Sequence, residues 1–187
     1  MVDAYSFWTF SDIFEENYFP SIPFHGGFGL LTLHGIAKPT YRAFEILHRL
    51  GHELVLVDGL HETVNCWVVR GEDKTIVLLT NHALPGHSIE TEQVIIRLHG
   101  VQQPRTVFIS RIDGKHANPR RTWEKMGSPT YPNAVELGVL SEASRVTPEK
   151  QSFKWTNESV TFEIDLPPHA VAAIEVEFPP DSGDARK

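Results

Sequence analysis

Residues 160–166 read Val-Thr-Phe-Glu-Ile-Asp-Leu, with apolar and polar side chains alternating along the whole stretch. A strict period of two is the pattern of a β-strand that packs one face on a core and turns the other to solvent. The alternation recurs in Gln93–Leu98 and Thr106–Ile112. Because strands buried on one side are typical of antiparallel sheets, these stretches predict a mainly β fold.

Further short strands surround these three, and turn sequences separate them. The other predicted strands are Leu54–Val57, Thr63–Arg70, Thr75–Leu79 and Ala170–Phe178. Many short strands at a spacing of about ten residues predict an antiparallel β-sandwich over residues 53–178. A helix near residues 133–143 is predicted as an insertion in this domain, and residues 179–187 as a flexible tail.

The first 52 residues follow a different pattern. Ala4–Phe10 is an almost continuous apolar run, as expected for a strand covered on both faces in a parallel sheet or barrel. A long loop, Ser11–Thr32, follows, and then a predicted helix over Pro39–Leu50, capped by Gly51. Its predicted buried stripe is Ala43, Phe44, Leu47 and Leu50. A single βα unit cannot bury its own faces, so we interpret it as the remnant of a larger (β/α)8 barrel.

Composition and charge exclude several classes of protein. The formal net charge of −7 argues against a nucleic-acid partner, and no apolar run approaches the ~20 residues of a membrane helix. The single cysteine, Cys66, precludes an intrachain disulfide and is interpreted as a small buried hydrophobe. No secretory signal is recognisable at the N-terminus, so we expect a cytoplasmic protein.

The strongest candidate for a functional site follows the first predicted strand, where Trp8, Asp12, Glu15 and Glu16 lie close in sequence. Loops after barrel strands build active sites, and sugars offer C–H faces to aromatic rings and hydroxyls to carboxylates. The alternative is that Trp8 belongs to the core and the acids to a solvated turn. The sequence leaves both interpretations open.

The ten histidines show no spacing typical of a metal site, so we predict no metal and no cofactor. His25, beside two glycines in the aromatic loop, is the histidine best placed for a role in binding. The acids of the predicted sandwich form no convincing pair for glycoside hydrolysis, which needs two carboxyl groups on opposite sides of the scissile bond.

Three ordered motifs carry a resemblance to a known family. They are Tyr5–Glu16 (YSFWTFSDIFEE), Pro23–Leu30 (PFHGGFGL) with Gly35–Pro39 (GIAKP), and His116–Pro119 with Trp123–Pro129. Together they resemble the last barrel strand, the loop after it and the accessory β-sandwich of family 39 β-xylosidases. The resemblance extends over nearly the whole chain, to about Phe178.

The resemblance implies a retaining glycosidase that removes terminal xylose from β-1,4-xylo-oligosaccharides, with a (β/α)8 barrel followed by a β-sandwich. By resemblance, Trp8 corresponds to the tryptophan of the sugar subsite and Glu16 to the glutamate that binds xylose hydroxyls, and His25 is a weaker candidate for substrate binding. The catalytic acid/base and the nucleophile belong to earlier barrel strands, so we expect no catalytic residue in these 187 residues.

Two further hypotheses remain open. A non-catalytic module could bind carbohydrate or form a homo-oligomer through the aromatic loop between Phe14 and Phe28, since orphaned barrel surface leaves an apolar patch. Alternatively, an N-terminal barrel partner could complement this chain.

Overall fold

The computed structural model describes residues 6–12, 22–72 and 74–179. These residues form two compact units. One comprises described residues within 1–45 and 114–146, and the other comprises those within 46–113 and 147–187. Within the described part of the chain, no helix is long and apolar enough to span a membrane.

The second unit is a β-sandwich. Its strands are β1 (Glu53–Val55), β2 (Val64–Arg70), β3 (Lys74–Asn81), β4 (Glu92–His99), β5 (Thr106–Ile112), β6 (Glu149–Lys150), β7 (Lys154–Thr156), β8 (Ser159–Leu166) and β9 (Val171–Glu177). They form a six-stranded sheet in the order β1-β2-β3-β9-β5-β6 and a three-stranded sheet in the order β4-β8-β7. Every strand pairing in both sheets is antiparallel. The predicted antiparallel β-sandwich is therefore confirmed.

The core of the sandwich follows from the alternation of β8. Val160, Phe162, Ile164 and Leu166 are all buried and share one hydrophobic cluster with residues of the larger sheet, including Leu79, Ile109 and Ile174. The intervening Glu163 and Asp165 are exposed. Burial of each such aliphatic or aromatic side chain contributes about 1.5–3 kcal/mol, so this face holds the two sheets together.

The described residues form the helices α1 (Pro39–His48), α2 (Pro119–Lys125) and α3 (Ala134–Ala143). The helix predicted near residues 133–143 is confirmed. Asn133 caps it, because its side chain accepts from the Val135 and Glu136 amides while the Glu136 carboxylate accepts from the Asn133 amide. In the first unit, Leu140 of α3 shares a small core with Phe24 and Ile36, against which Trp123, Met126 and Leu137 pack.

Helix α1 ends two residues earlier than predicted. The Arg49 and Leu50 amides donate to carbonyls three residues back, so the last turn tightens instead of closing on a glycine cap. Gly51 serves a different purpose, since a Cβ there would overlap the Arg70 carbonyl oxygen. The predicted stripe is also shifted, because Ile46 is buried whereas Leu47 is exposed.

The structure differs from the sequence interpretation at two more places. Residues 6–10 of the predicted strand Ala4–Phe10 are irregular, and residues 4 and 5 lie outside the described residues. A parallel strand needs continuous neighbours, whereas among residues 6–12 only Ser11 forms an isolated bridge, with Leu31. The predicted domain boundaries differ as well, since residues 114–146, with α2 and α3, group with residues 1–45 rather than with the sandwich.

Candidate functional site

A backbone ladder holds the segment that carries Trp8. The Leu30 and Leu31 amides donate to the Thr9 and Phe10 carbonyls, both at 3.0 Å, and the Asp12 amide donates to the Leu31 carbonyl at 2.9 Å. These three bonds join residues 9–12 to residues 30–31. The segment therefore has a fixed course although it lacks strand geometry.

Asp12 is the centre of the site within the first unit. Its side chain is 1% exposed, and its Oδ1 accepts a bond from the Lys38 Nζ at 2.6 Å and another from the Gly29 amide at 2.9 Å. A buried carboxylate needs both a counter-charge and hydrogen-bond donors. Lys38, just before α1, supplies the charge, and its Nζ also donates to the Gly27 carbonyl at 3.1 Å.

His25 lies on the other side of the same carboxylate. Its side chain is 4% exposed, and its Nε2 lies 3.6 Å from the Asp12 Oδ2. The Gly27 amide donates to the Nδ1 of His25 at 3.0 Å. Because Nδ1 accepts this bond, Nε2 is the ring nitrogen that can donate, and it faces Asp12. We refer to Asp12, His25 and Lys38 as the buried cluster.

Glycines are required where the loop meets the buried cluster. A Cβ on Gly29 would overlap the backbone of Ser11 and Asp12, and a Cβ on Gly27 would overlap the His25 ring. Both glycines lend backbone groups to the cluster. Phe28 lies between them, so the peptide groups before and after it are both hydrogen-bonded to the cluster.

Large aromatic side chains remain open to solvent in this unit. Trp8 is 71% exposed, Phe10 66% and Phe28 51%. The Trp8–Thr9 peptide bond is cis. Phe7 packs edge-on against Phe44 of α1, with 5.9 Å between the ring centroids. Exposed rings on a fixed backbone can pack against the apolar face of a sugar, and they can equally contact another protein.

The three residues proposed for substrate binding thus differ in their exposure to solvent and in whether the structure describes them. Trp8 is at the surface, His25 is buried beside Asp12, and Glu16 lies outside the described residues, as does Glu15. The alternative of a core Trp8 beside a solvated acidic turn does not fit, because Trp8 is exposed and Asp12 is buried. Their roles toward a substrate stay predictions.

Lys38 is the residue that the sequence interpretation missed. It is 26 positions from Asp12, so no local pattern joins the two. One signal was available, because the motif Gly35–Pro39 is part of the family resemblance and Lys38 is the charged residue in that motif. Across residues 6–12, 22–72 and 74–179, no three His, Cys, Asp or Glu side chains are grouped so that they could hold a metal ion.

Comparison with known proteins agrees with the fold and the motifs. The profile described as "Glycosyl hydrolases family 39" matches residues 1–159. A β-xylosidase from Caldicellulosiruptor saccharolyticus is 43% identical over 176 residues, which are 92% of this chain and 36% of the relative. A β-xylosidase from Geobacillus stearothermophilus is 36% identical over 183 residues, or 94% of this chain and 34% of the relative. The chain thus spans about a third of the length of these curated relatives.

Two solved structures show the same fold. A monomeric β-xylosidase from Caulobacter crescentus CB15 has a TM-score of 0.72 at 24% identity, over 93% of this chain and 37% of that one. A family 39 enzyme from Xanthomonas axonopodis pv. citri has a TM-score of 0.74 at 22% identity, over 91% and 36%. With a profile match over most of its length and close sequence relatives, this chain belongs to glycoside hydrolase family 39.

Proposed function

We propose that this chain forms the sugar-facing edge and the accessory sandwich of a retaining β-xylosidase-like glycoside hydrolase, and that it contains neither of the catalytic glutamates. The observation that carries the proposal is the combination of a family match over residues 1–159 with an exposed Trp8 on a fixed backbone. Trp8 packs on a xylose ring, and Glu16 accepts hydrogen bonds from its hydroxyls.

The chemistry of retaining glycosidases supports the proposal that neither catalytic glutamate belongs to this chain. A retaining glycosidase needs an acid/base and a nucleophile whose carboxyl groups are about 5–5.5 Å apart. Of the acids near Trp8, the structure describes Asp12, whose buried carboxylate is already paired with Lys38. Glu15 and Glu16 are adjacent in sequence and are poorly suited to flank one scissile bond. The two glutamates are therefore assigned to barrel strands that precede this segment in longer relatives.

The test of this proposal is turnover of 4-nitrophenyl β-D-xyloside by the purified chain. We expect no release of nitrophenol above the buffer rate, because no nucleophile is available for the covalent intermediate. Release that disappears in Glu16→Gln would contradict the proposal. DNA upstream of the Met1 codon provides an independent check, and an in-frame barrel there would support it.

A second candidate function is a module that assembles with further copies of itself. The observation in its favour lies on the sandwich, where Leu54, Leu56 and Leu60 at and after edge strand β1 are 70%, 95% and 104% exposed. Exposed apolar patches of this kind mark interaction surfaces. Light scattering of the purified chain separates the two candidates: a dimer or larger species without xylotriose binding favours assembly.

A further inference from the structure

The exposed ring of Phe28 lies at the point where the buried cluster meets the surface. Both backbone groups of Gly27 bond to the buried cluster. Its amide donates to His25, and its carbonyl accepts from Lys38. Gly29 donates its amide to Asp12 at 2.9 Å. The residue between them, Phe28, is therefore fixed at both peptide bonds while its side chain remains 51% exposed.

The energetic cost of this arrangement indicates that it has a purpose beyond closing a loop. The Asp12 carboxylate is 1% exposed and the Lys38 side chain is 12% exposed, so both charged groups are largely removed from water. Their hydrogen bonds go to the backbone of Gly27 and Gly29. Replacing such a buried pair with apolar side chains is often neutral or favourable for stability, so the pair is a poor device for stability alone. Its effect in this fold is to fix the backbone on either side of Phe28.

The same bonds relate Phe28 to the segment of Trp8. The Leu30 amide donates to the Thr9 carbonyl, and the Leu30 carbonyl accepts from the Lys38 amide at 2.9 Å. Asp12 lies four residues after Trp8, and its side chain accepts hydrogen bonds from the Gly29 amide and the Lys38 Nζ. One set of hydrogen bonds thus fixes the backbone that carries both exposed rings.

We propose that Phe28 is a second aromatic contact to the sugar, in addition to Trp8, and that Asp12, Lys38 and His25 are positioning residues that act through Gly27 and Gly29. The ligand class is a neutral xylo-oligosaccharide, whose pyranose rings present C–H faces to aromatic side chains. This inference rests on the proposed function, because it takes the segment that carries Trp8 as part of the sugar-binding site.

The test is a titration of the purified chain with xylotriose, followed by calorimetry or by amide chemical shifts. We expect Phe28→Ala to weaken binding about fivefold, an amount typical of the loss of one aromatic contact, and Phe28→Tyr to restore it. The matched control is Tyr131→Ala, which removes another exposed ring from the same unit and should leave the affinity unchanged.

A double-mutant cycle distinguishes positioning from a general loss of structure. If Asp12 acts through Phe28, Asp12→Asn weakens xylotriose binding alone but adds little in a Phe28→Ala background. It also speeds hydrogen exchange of the Gly27 and Gly29 amides by a larger factor than exchange of the α3 amides. Additive losses in the cycle, or uniform acceleration of exchange across the unit, would overturn the positioning role.

The outcomes also separate this inference from the proposed function. Weaker binding in Trp8→Ala with unchanged binding in Phe28→Ala overturns the role of Phe28 and leaves the sugar-facing edge intact. If the unaltered chain does not bind xylotriose at all, or if Trp8→Ala has no effect, both proposals fail together.

Discussion

At the scale of single residues, the buried Lys38–Asp12 ion pair is costly to break from one side only. The pair is 2.6 Å long with both side chains largely buried. Removing one partner of a buried pair leaves the other charge uncompensated, which costs about 3–5 kcal/mol. We expect Lys38→Met to lower the free energy of unfolding by about 3 kcal/mol, measured by urea titration with far-UV circular dichroism.

The control for this change is Arg120→Met. Arg120 pairs with Glu124 one helical turn away, but both side chains are more than half exposed. Exposed pairs of this kind contribute less than about 1 kcal/mol. Equal effects of the two substitutions would show that burial of the Lys38–Asp12 pair carries no special weight.

Cys66 allows a prediction about pH. Burial raises the pKa of the Cys66 thiol, so the folded chain holds less thiolate than the unfolded chain at the same pH. Iodoacetamide should therefore alkylate Cys66 at least about tenfold more slowly in the native protein than in urea at pH 8. Because the folded pKa is raised, this thiol should also reduce stability as the pH rises above its unfolded pKa. Equal alkylation rates, referenced to glutathione in each buffer, would contradict the prediction.

The site was only partly predictable at this scale. The motif around Trp8 and the glycines around His25 were visible in the sequence, and so was the acid at position 12. That His25 is buried against Asp12, and that Lys38 neutralises it, depends on contacts across 13 and 26 residues of loop. No periodic pattern reports on such contacts, because a loop has no repeating geometry.

At the scale of secondary-structure elements, the strands of seven or eight residues were predicted well and the short ones were not. β4, β5 and β8 match the predictions within a residue or two. β6 and β7 are two and three residues long and wholly exposed, so they lack the buried face that creates a pattern. Helix α2 was also missed, although Asn118 as N-cap and Pro119 after it form a recognisable start.

The exit from α1 gives a prediction at the scale of elements. Gly51 leads into β1 and passes so close to the end of β2 that a Cβ would overlap the Arg70 carbonyl oxygen. We expect Gly51→Ala to cost about 1–3 kcal/mol, because the backbone must shift to relieve the overlap. Thermal unfolding measures this cost. Gly114→Ala is the matched control, since a Cβ there meets open space, and a comparable loss in that variant would refute the steric explanation.

At the scale of the whole molecule, stability of the sandwich comes from the facing surfaces of its two sheets. Ile174 in β9 has no exposed surface and belongs to the main cluster. Ile174→Ala should therefore cost about 2–5 kcal/mol, through lost burial and the cavity left behind. Chemical denaturation measures the change.

Ile95→Ala serves as the comparison within the other sheet. Ile95 is 59% exposed on β4, so the same truncation removes little buried surface there. The expected change is within about 0.5 kcal/mol. If both truncations destabilise the protein to the same extent, the cluster assigned as the core is not what holds the sheets together.

The fold class was predictable at this scale because alternation fixes which face of a strand is buried, whereas the order of strands in the sheet was not. Register and neighbours depend on side chains that meet across the sheet, and several strand orders would satisfy the same alternation.

The position of β9 has a consequence for synthesis of the protein. β9 follows the other described strands in sequence, yet it lies between β3 and β5, where Val77 and Ile109 both pair with Ile174. A nascent chain on the ribosome can pair β1 with β2 and β2 with β3, but β5 has no link to them until residues 171–177 emerge. The larger sheet therefore cannot close before residues 171–177 have been synthesised, and removing this one strand would divide the sheet in the middle rather than trim its edge.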